Sequence, residues 1–308
     1  MVGSSNTDLV ARVPRLPHHG ECLTGTSFEI GFGGKGANQA IIAARLGAQV
    51  AVVTRLGRDV FGEAYARRYR DENIDTRFIA FDDMRSSGAA LILVDEPTGL
   101  NTMAFIPGAN AGLSLADARV AGDSIAASHV LLCQLEVPVE TTLEAFRIAH
   151  ATGAHRPLTL LNTAPVPVPR DPLPHELLEL TDILVANEEE AAFLAEMPVD
   201  TIEQAMVAAT TLAARWSCAS ILTLGGRGVA YVERDGIARH VAAPQVQAVD
   251  TTGAGDAFVG SLAFLVASGE PLPLAVERAT QVATLTVLDR GTQASFPTRA
   301  HVRERLGW

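Results

Sequence analysis

Val249-Asp250-Thr251-Thr252-Gly253-Ala254-Gly255-Asp256-Ala257-Phe258 is a turn of small residues that passes directly into an apolar helical pattern. Gly253, Ala254 and Gly255 carry nothing larger than a methyl group, so their backbone N–H groups can converge without obstruction. At a helix N-terminus the dipole adds to this, and the segment reads as an anion cradle. Asp256 falls in the first turn of that helix. It is either a carboxylate that the dipole favours there or a base placed to take a proton from an attacking hydroxyl beside the cradle.

Outward from this turn, helical patterns alternate with short apolar runs. Downstream, residues 255–267 and 272–288 read as helices. Upstream, residues 37–46 read as a helix stopped by Gly47, and residues 50–54 as a strand. The alternation continues with a strand at 130–135, a helix at 139–151, a strand at 158–162 and a Pro-rich connection at 165–174. A strand at 183–186, helices at 188–195 and 202–216 and a strand at 220–224 follow. This order predicts an α/β fold: a doubly wound, mostly parallel sheet with helices on both faces. Residues 9–30 and 87–106 break the rhythm, reading as strands joined by turns with no helix between them. They predict a small β lid, with residues 1–8, 31–86 and 107–308 forming the large α/β domain. Such a lid can close over a site on the sheet and exclude water.

The bulk properties fit one large domain with an appendage. The chain has 308 residues, 48% of them apolar and 19% charged, enough for a sizeable core and without the composition of a disordered protein. With 24 Lys and Arg against 35 Asp and Glu, the formal charge is −11. That balance repels phosphate backbones and argues against nucleic acid as a partner. Cys22, Cys133 and Cys218 are widely separated, without metal-ligand spacing, and read as buried small hydrophobes. No apolar run approaches a membrane span, so a soluble, cytoplasmic protein is expected.

A second glycine-rich segment, Gly31-Phe32-Gly33-Gly34-Lys35-Gly36-Ala37-Asn38, also opens a helix. It contains the G-x-G-x-x-G spacing of a dinucleotide site at Gly31, Gly33 and Gly36, which keeps an NADP-binding oxidoreductase as an alternative. Lys35 is followed by Gly36 instead of Ser or Thr, so a P-loop is excluded. The turn is either a tight bend with a solvated lysine or a grip on a polar ligand through Lys35 and Asn38. Asn187-Glu188-Glu189-Glu190 follows a predicted strand. It reads either as a solvated helix start or as Asn187 and Glu190 on one face, orienting hydrated Mg2+ or phosphate. Thr223-Leu224-Gly225-Gly226-Arg227-Gly228 is either a hairpin turn or a close backbone approach to a flat or phosphorylated ligand. The eight histidines have no metal spacing and are read as structural, and no G-x-S-x-G motif is present.

Taken together, these segments resemble the PfkB family of carbohydrate kinases over nearly the whole chain. Phe32-Gly33-Gly34-Lys35-Gly36-Ala37-Asn38-Gln39 resembles the family's first signature, and Asp250-Thr251-Thr252-Gly253-Ala254-Gly255-Asp256 matches its second, about 220 residues later. The resemblance implies that Asn6, Asp8, Gly34, Lys35, Asn38 and Glu136 hold sugar hydroxyls, with Asp256 as catalytic base. It also implies that Asn187, Thr223, Gly225, Gly228, Gly253 and Gly255 bind ATP, with Glu190 reaching Mg2+ through water. An activating K+ would sit at Asp250, Thr252, Thr286, Asp289, Gly291 and Ser295, several of them ligating through backbone carbonyls.

The expected activity is transfer of the γ-phosphoryl group of ATP to the 5-hydroxyl of D-ribose. Ribose as acceptor rests on the Asn6/Asp8 turn, the first signature, Glu136 and the Gly291-Thr292-Gln293 segment. Fructose, deoxyribose or adenosine as acceptor is the nearest alternative, and a sugar sensor without catalysis is another. A homodimer through the lid is expected, because an exposed sheet edge is often covered by a partner.

Overall fold

The computed structural model describes residues 1–153, 156–166 and 171–308. The chain runs through β1 (Asn6–Val13), β2 (Ser27–Gly33), α1 (Lys35–Leu46), β3 (Ala51–Gly57), α2 (Val60–Asp71), β4 (Asp75–Asp82), β5 (Gly88–Asp95) and β6 (Asn101–Ile106). After a short 3-10 turn come α3 (Leu115–Val120), α4 (Gly122–Ala126), β7 (Val130–Cys133), α5 (Val139–His150), β8 (Leu158–Asn162) and α6 (His175–Glu179). The remainder is β9 (Ile183–Asn187), α7 (Glu188–Ala195), α8 (Ile202–Trp216), β10 (Ala219–Thr223), β11 (Val229–Val232), β12 (Ala238–Val241), α9 (Ala254–Ala267), α10 (Leu272–Thr286), α11 (Thr292–Ser295) and α12 (Arg299–Leu306).

The main sheet has the order β12-β11-β10-β9-β8-β7, parallel from β10 to β7 and antiparallel at the β11 and β12 edge. Parallel pair β3-β4 continues it through one residue, because Val2 bridges to Val53 on one side and to Cys133 on the other. Buried strand residues alternate between two helical layers. Leu131, Cys133, Leu161, Leu184 and Leu222 face the core shared with α5, α7 and α8. Leu132, Leu160, Ile183, Val185 and Ile221 face the core shared with α9 and α10. Burial on both faces is why these strands are predominantly apolar instead of alternating in polarity.

A second sheet, β2-β1-β5-β6, has four strands and no helix inserted among its strands except on the path from β2 to β5. It takes in Asn6 to Asp8 and Gly31 to Gly33, so it extends further toward the main sheet than residues 9–30 suggested. Its residues alternate as well. Asn6 and Asp8 lie on one face, and Leu9, Ile30 and Leu91 form a row across the other.

Several elements differ from the sequence expectation. α2 and β4 were not anticipated: α2 buries only Gly62, Tyr65, Ala66 and Tyr69, and its remaining surface mixes charged residues with Val60, Phe61 and Ala64. Its start is held by Asp59, whose side chain accepts from Gly62 N. Cys22 is exposed in the connection between β1 and β2, whereas Cys133 and Cys218 are buried as expected. The Pro-rich connection at 165–174 lies partly outside the described residues.

Candidate active site

Helices α1 and α9 begin side by side. They pack closely at Gly260, where a Cβ would lie 2.3 Å from Ile42 Cγ2 and 2.4 Å from Gln39 O. Only glycine permits that approach. Each helix starts behind a glycine of positive φ, Gly34 at 88° and Gly253 at 80°. At Gly253 the left-handed conformation excludes other residues at little cost to glycine alone, and a Cβ would also strike Thr292 Cγ2 at 2.4 Å. Ala254 N donates to Thr251 O at 3.2 Å within the turn, no side chain caps the helix start, and Gly255 is exposed and open.

Asp256 projects from this start toward α1. Asn38 Nδ2 donates to Asp256 Oδ2 at 2.8 Å, and Gln39 Nε2 donates to Asp256 Oδ1 at 2.9 Å. Asn38 is itself oriented by Gln293, whose Nε2 donates to Asn38 Oδ1 at 3.0 Å and to Tyr65 OH at 2.9 Å. The two signature segments thus meet in space through their side chains.

Around Lys35 the site is strongly acidic. Burial pushes the Lys35 ammonium toward neutrality, but the carboxylates of Asp256, Glu136 and Glu190 outweigh it and raise its pKa above the ordinary value. Glu136 Oε2 accepts from Ser4 Oγ at 2.6 Å, Lys35 N at 3.0 Å and Asn6 Nδ2 at 3.4 Å. Asn6 Oδ1 accepts from Asn110 Nδ2 at 2.7 Å. Asn110, fully buried, also takes Ser5 N on its Oδ1 and donates to Ser5 O. Asp8 has its pKa raised to about 6, by burial first and then by the charges of Glu136 and Asp256. These couplings bring Asn6, Asp8, Gly34, Lys35, Asn38, Glu136 and Asp256 to one place.

The other expected residues occupy neighbouring ends of the main sheet. Asn187 and Thr223 are paired across β9 and β10. Asn187 and Glu190 form a capping box: Asn187 Oδ1 accepts from Glu190 N at 2.9 Å, and Glu190 Oε2 accepts from Asn187 N at 3.0 Å. Glu190 also takes Asn187 Nδ2 and Thr163 Oγ1, and burial outweighs these hydrogen bonds and the charge of Lys35 and raises its pKa. Gly225 and Gly228 bound the 3-10 turn of the β10–β11 hairpin. Asp250 ties two loops together, its Oδ1 accepting from Thr252 N and its Oδ2 from Gly291 N, both at 2.9 Å. Thr286 and Ser295 spend their hydroxyls on Ala283 O and Thr292 O, and Asp289 N points to Thr286 O. Among the described residues no group of three or more His, Cys, Asp or Glu stands together as a metal cluster.

Gln39, Asn110 and Asn162 had no assigned role in the sequence, though Gln39 stood inside the quoted signature. The dinucleotide alternative fails on topology. Gly31 and Gly33 lie in β2, antiparallel to β1 in the four-stranded sheet, and β2 has no parallel β3 beside it.

A helix start of small residues with no side-chain cap, a carboxylate and a lysine, all at the edge of a doubly wound sheet beside a β lid, are the parts a small-molecule kinase needs. The chain belongs to the pfkB family of carbohydrate kinases, whose sequence model matches residues 1–299. It is 39% identical over 300 residues to a ribokinase of Mus musculus, covering 96% of this chain and 91% of that one. It is 35% identical over 306 residues to a deoxyribokinase of Salmonella typhi, covering 99% and 97%. The fold is similar to that of Arabidopsis thaliana ribokinase complexed with ribose and ATP, with a TM-score of 0.86, 28% identity and coverage of 100% and 97%.

Proposed function

We propose that this carbohydrate kinase transfers the γ-phosphoryl group of ATP to the 5-hydroxyl of D-ribose, giving ribose 5-phosphate and ADP. The observation that carries the reading is the meeting of Asp256 with Asn38, Gln39 and the field of Lys35 at two adjoining helix starts. The mouse and Arabidopsis ribokinases support ribose as acceptor. The Salmonella deoxyribokinase supports deoxyribose as the second reading.

In this mechanism Asn6, Asp8, Lys35, Asn38 and Glu136 hold the sugar, and the four-stranded sheet closes over it to keep water from the phosphate. Asp256 accepts the proton of the 5-hydroxyl as that oxygen forms its bond to the γ-phosphorus. The bond to the β-phosphate oxygen breaks in line, and ADP leaves. The N–H groups of the Gly253–Gly255 turn and the Lys35 ammonium face the charge that develops on the transferring group. Thr223, Gly225, Gly228 and Asn187 line the nucleotide side.

Magnesium bound with ATP would supply charge neutralisation on the phosphates. The Glu190 carboxylate is already engaged by Asn187 and Thr163, which fits orientation of the ion through water better than direct ligation. For K+, the hydroxyls of Thr286 and Ser295 are committed to backbone carbonyls. Backbone carbonyls of the two loops that Asp250 joins are therefore the fitting ligands. A homodimer through the lid would cover Phe28, Ile30 and Leu91, which are 62%, 59% and 48% exposed. A monomer in sedimentation velocity at micromolar concentration would remove that assembly.

The decisive measurement is ADP formation with ribose, deoxyribose, fructose and adenosine, each with and without K+. Ribose should give the highest kcat/KM. A preference for deoxyribose would move the assignment to the second reading, and no ADP with any acceptor would defeat the kinase reading.

A further inference from the structure

We propose that Gln39 is a positioning residue for catalysis, setting the plane and reach of the Asp256 carboxylate. The inference rests on the reading of Asp256 as the base. Gln39 is fully buried in α1 and so cannot touch sugar or nucleotide itself. Its side chain nevertheless ends on the reacting group: Nε2 donates to Asp256 Oδ1 at 2.9 Å.

The amide has only one orientation open to it. Gln39 Oε1 accepts from Gln134 Nε2 at 2.5 Å, and Gln39 Nε2 donates a second bond, to Asn162 Oδ1 at 2.9 Å. Asn162 is locked in turn, since its Nδ2 donates to Val185 O at 3.2 Å. Asn162 closes β8, Val185 lies in β9 and Gln134 directly follows β7. One side chain from a helix thus links the ends of three adjacent sheet strands to the carboxylate. With Asn38 holding Oδ2 from the same helix, both oxygens are held by neighbouring residues, and the carboxylate cannot rotate without breaking one bond. A base fixed in this way meets the sugar hydroxyl without first paying to be ordered. Burying an amide with both N–H donors and its oxygen engaged merely to fill the core is the costlier design, because an apolar side chain of that size would serve.

The test compares Gln39→Met, Gln134→Met, Asp256→Asn and the double variant Gln39→Met/Asp256→Asn. Gln39→Met keeps the volume but removes the donor. It should lower kcat about 10- to 100-fold, the scale of a misplaced reacting group. KM for ribose and for ATP should stay within about twofold, because ground-state contacts are untouched. Adding Gln39→Met to Asp256→Asn should cost nothing further. Gln134→Met should lower kcat in the same direction by a smaller factor, and it decides the matter if circular dichroism shows Gln39→Met unfolded. An unchanged kcat, a loss confined to KM, or the same fold-loss in the Asp256→Asn background would overturn the proposal. Wild-type turnover in Asp256→Asn would instead defeat the base assignment, a failure separate from that of Gln39.

Discussion

The proposed acceptor half and nucleotide half of the cleft are built on different terms. On the acceptor side, Ser4, Asn6, Asn38, Gln39 and Asn110 are buried, and their hydrogen bonds span from 32 to 255 residues of sequence. On the nucleotide side, Gly225, Gly226, Thr251, Thr252 and Gly255 are exposed, and a Cβ at Gly225, Gly226 or Gly255 would meet nothing within 4 Å. A sugar offers hydroxyls that must be told apart, and this requires fixed side-chain donors and acceptors. A triphosphate can be held by backbone amides and helix dipoles, which need small residues and open space. On the proposed reading, one half would recognise through side chains, the other through main chain.

The sharpest way to break this contrast is at the point where the halves meet. Asp256→Asn keeps the shape of the helix start and should retain ATP affinity close to normal. Turnover should fall by roughly 100- to 10,000-fold, the usual contribution of a positioned base. Single-turnover ADP formation with nucleotide binding measured in parallel checks both. Loss of ATP binding along with turnover would place Asp256 in the nucleotide half.

The acceptor half should also be the half that responds to pH. On the proposed reading, the Asp8 carboxyl, raised to about 6 by burial and by Glu136 and Asp256, holds sugar hydroxyls most strongly when ionised, because protonation turns one of its acceptor oxygens into a donor. KM for ribose should therefore rise as pH falls through that value, roughly tenfold per pH unit below it, while KM for ATP stays flat. Asp8→Asn should show a high, pH-independent KM for ribose. The same shift has a sign for stability. A raised carboxyl pKa means the folded protein holds this proton more tightly than the unfolded chain does. Its unfavourable contribution is absent below the unfolded value, grows as pH rises, and is fully present above about 6. Asp8→Asn should accordingly raise Tm at pH 7.5, and the gain should shrink toward pH 5.

A third prediction sharpens the side-chain half alone. Asn110 satisfies both Ser5 N and Ser5 O and holds Asn6 from below the sugar site. Asn110→Ala leaves buried backbone groups unpaired, a cost of about 1–3 kcal/mol. The denaturation midpoint should fall, and KM for ribose should rise more than KM for ATP. Equal changes in both would mean that the two halves share one scaffold and that the contrast is superficial.

The same contrast explains which features of the fold are legible in the sequence. The parallel sheet was legible because its strands are buried on two faces, so Leu158–Asn162 and Ile183–Asn187 appear as mostly apolar runs without polar alternation. Strand β4 and helix α2 were not, since DTRFIAFD and VFGEAYARRYRD mix charge with aromatic residues and bury little. Lys35, Asn38 and Asp256 were legible as candidates because their side chains stand beside glycine turns that nothing else explains. Gln39, Asn110 and Asn162 were not, because their role lies in contacts 123, 105 and 217 residues apart in sequence, and no local pattern marks a buried amide as an anchor. The nucleotide residues were legible only as glycine spacing, which hairpin turns share, and Gly225 to Gly228 do form one.

The smallest effect is expected from exchanging the monovalent cation, because such an ion would act on the main-chain half at one remove. Asp250 holds Thr252 N and Gly291 N at once, and Gly253 lies so close to Thr292, the first residue of α11 after Gly291, that a Cβ there would strike its Cγ2. An ion bound to backbone carbonyls of these loops would stiffen the Gly253–Gly255 amides without touching sugar or phosphate. K+ should therefore raise kcat severalfold over Na+ at matched ionic strength, with KM for ribose unchanged. Since the loops are joined by Asp250 even without an ion, Asp250→Asn should weaken the join and increase the dependence on K+ instead of abolishing activity. Equal rates in the two salts would remove the cation, and the ordering of the amide turn would then rest on Asp250 and Thr292 alone.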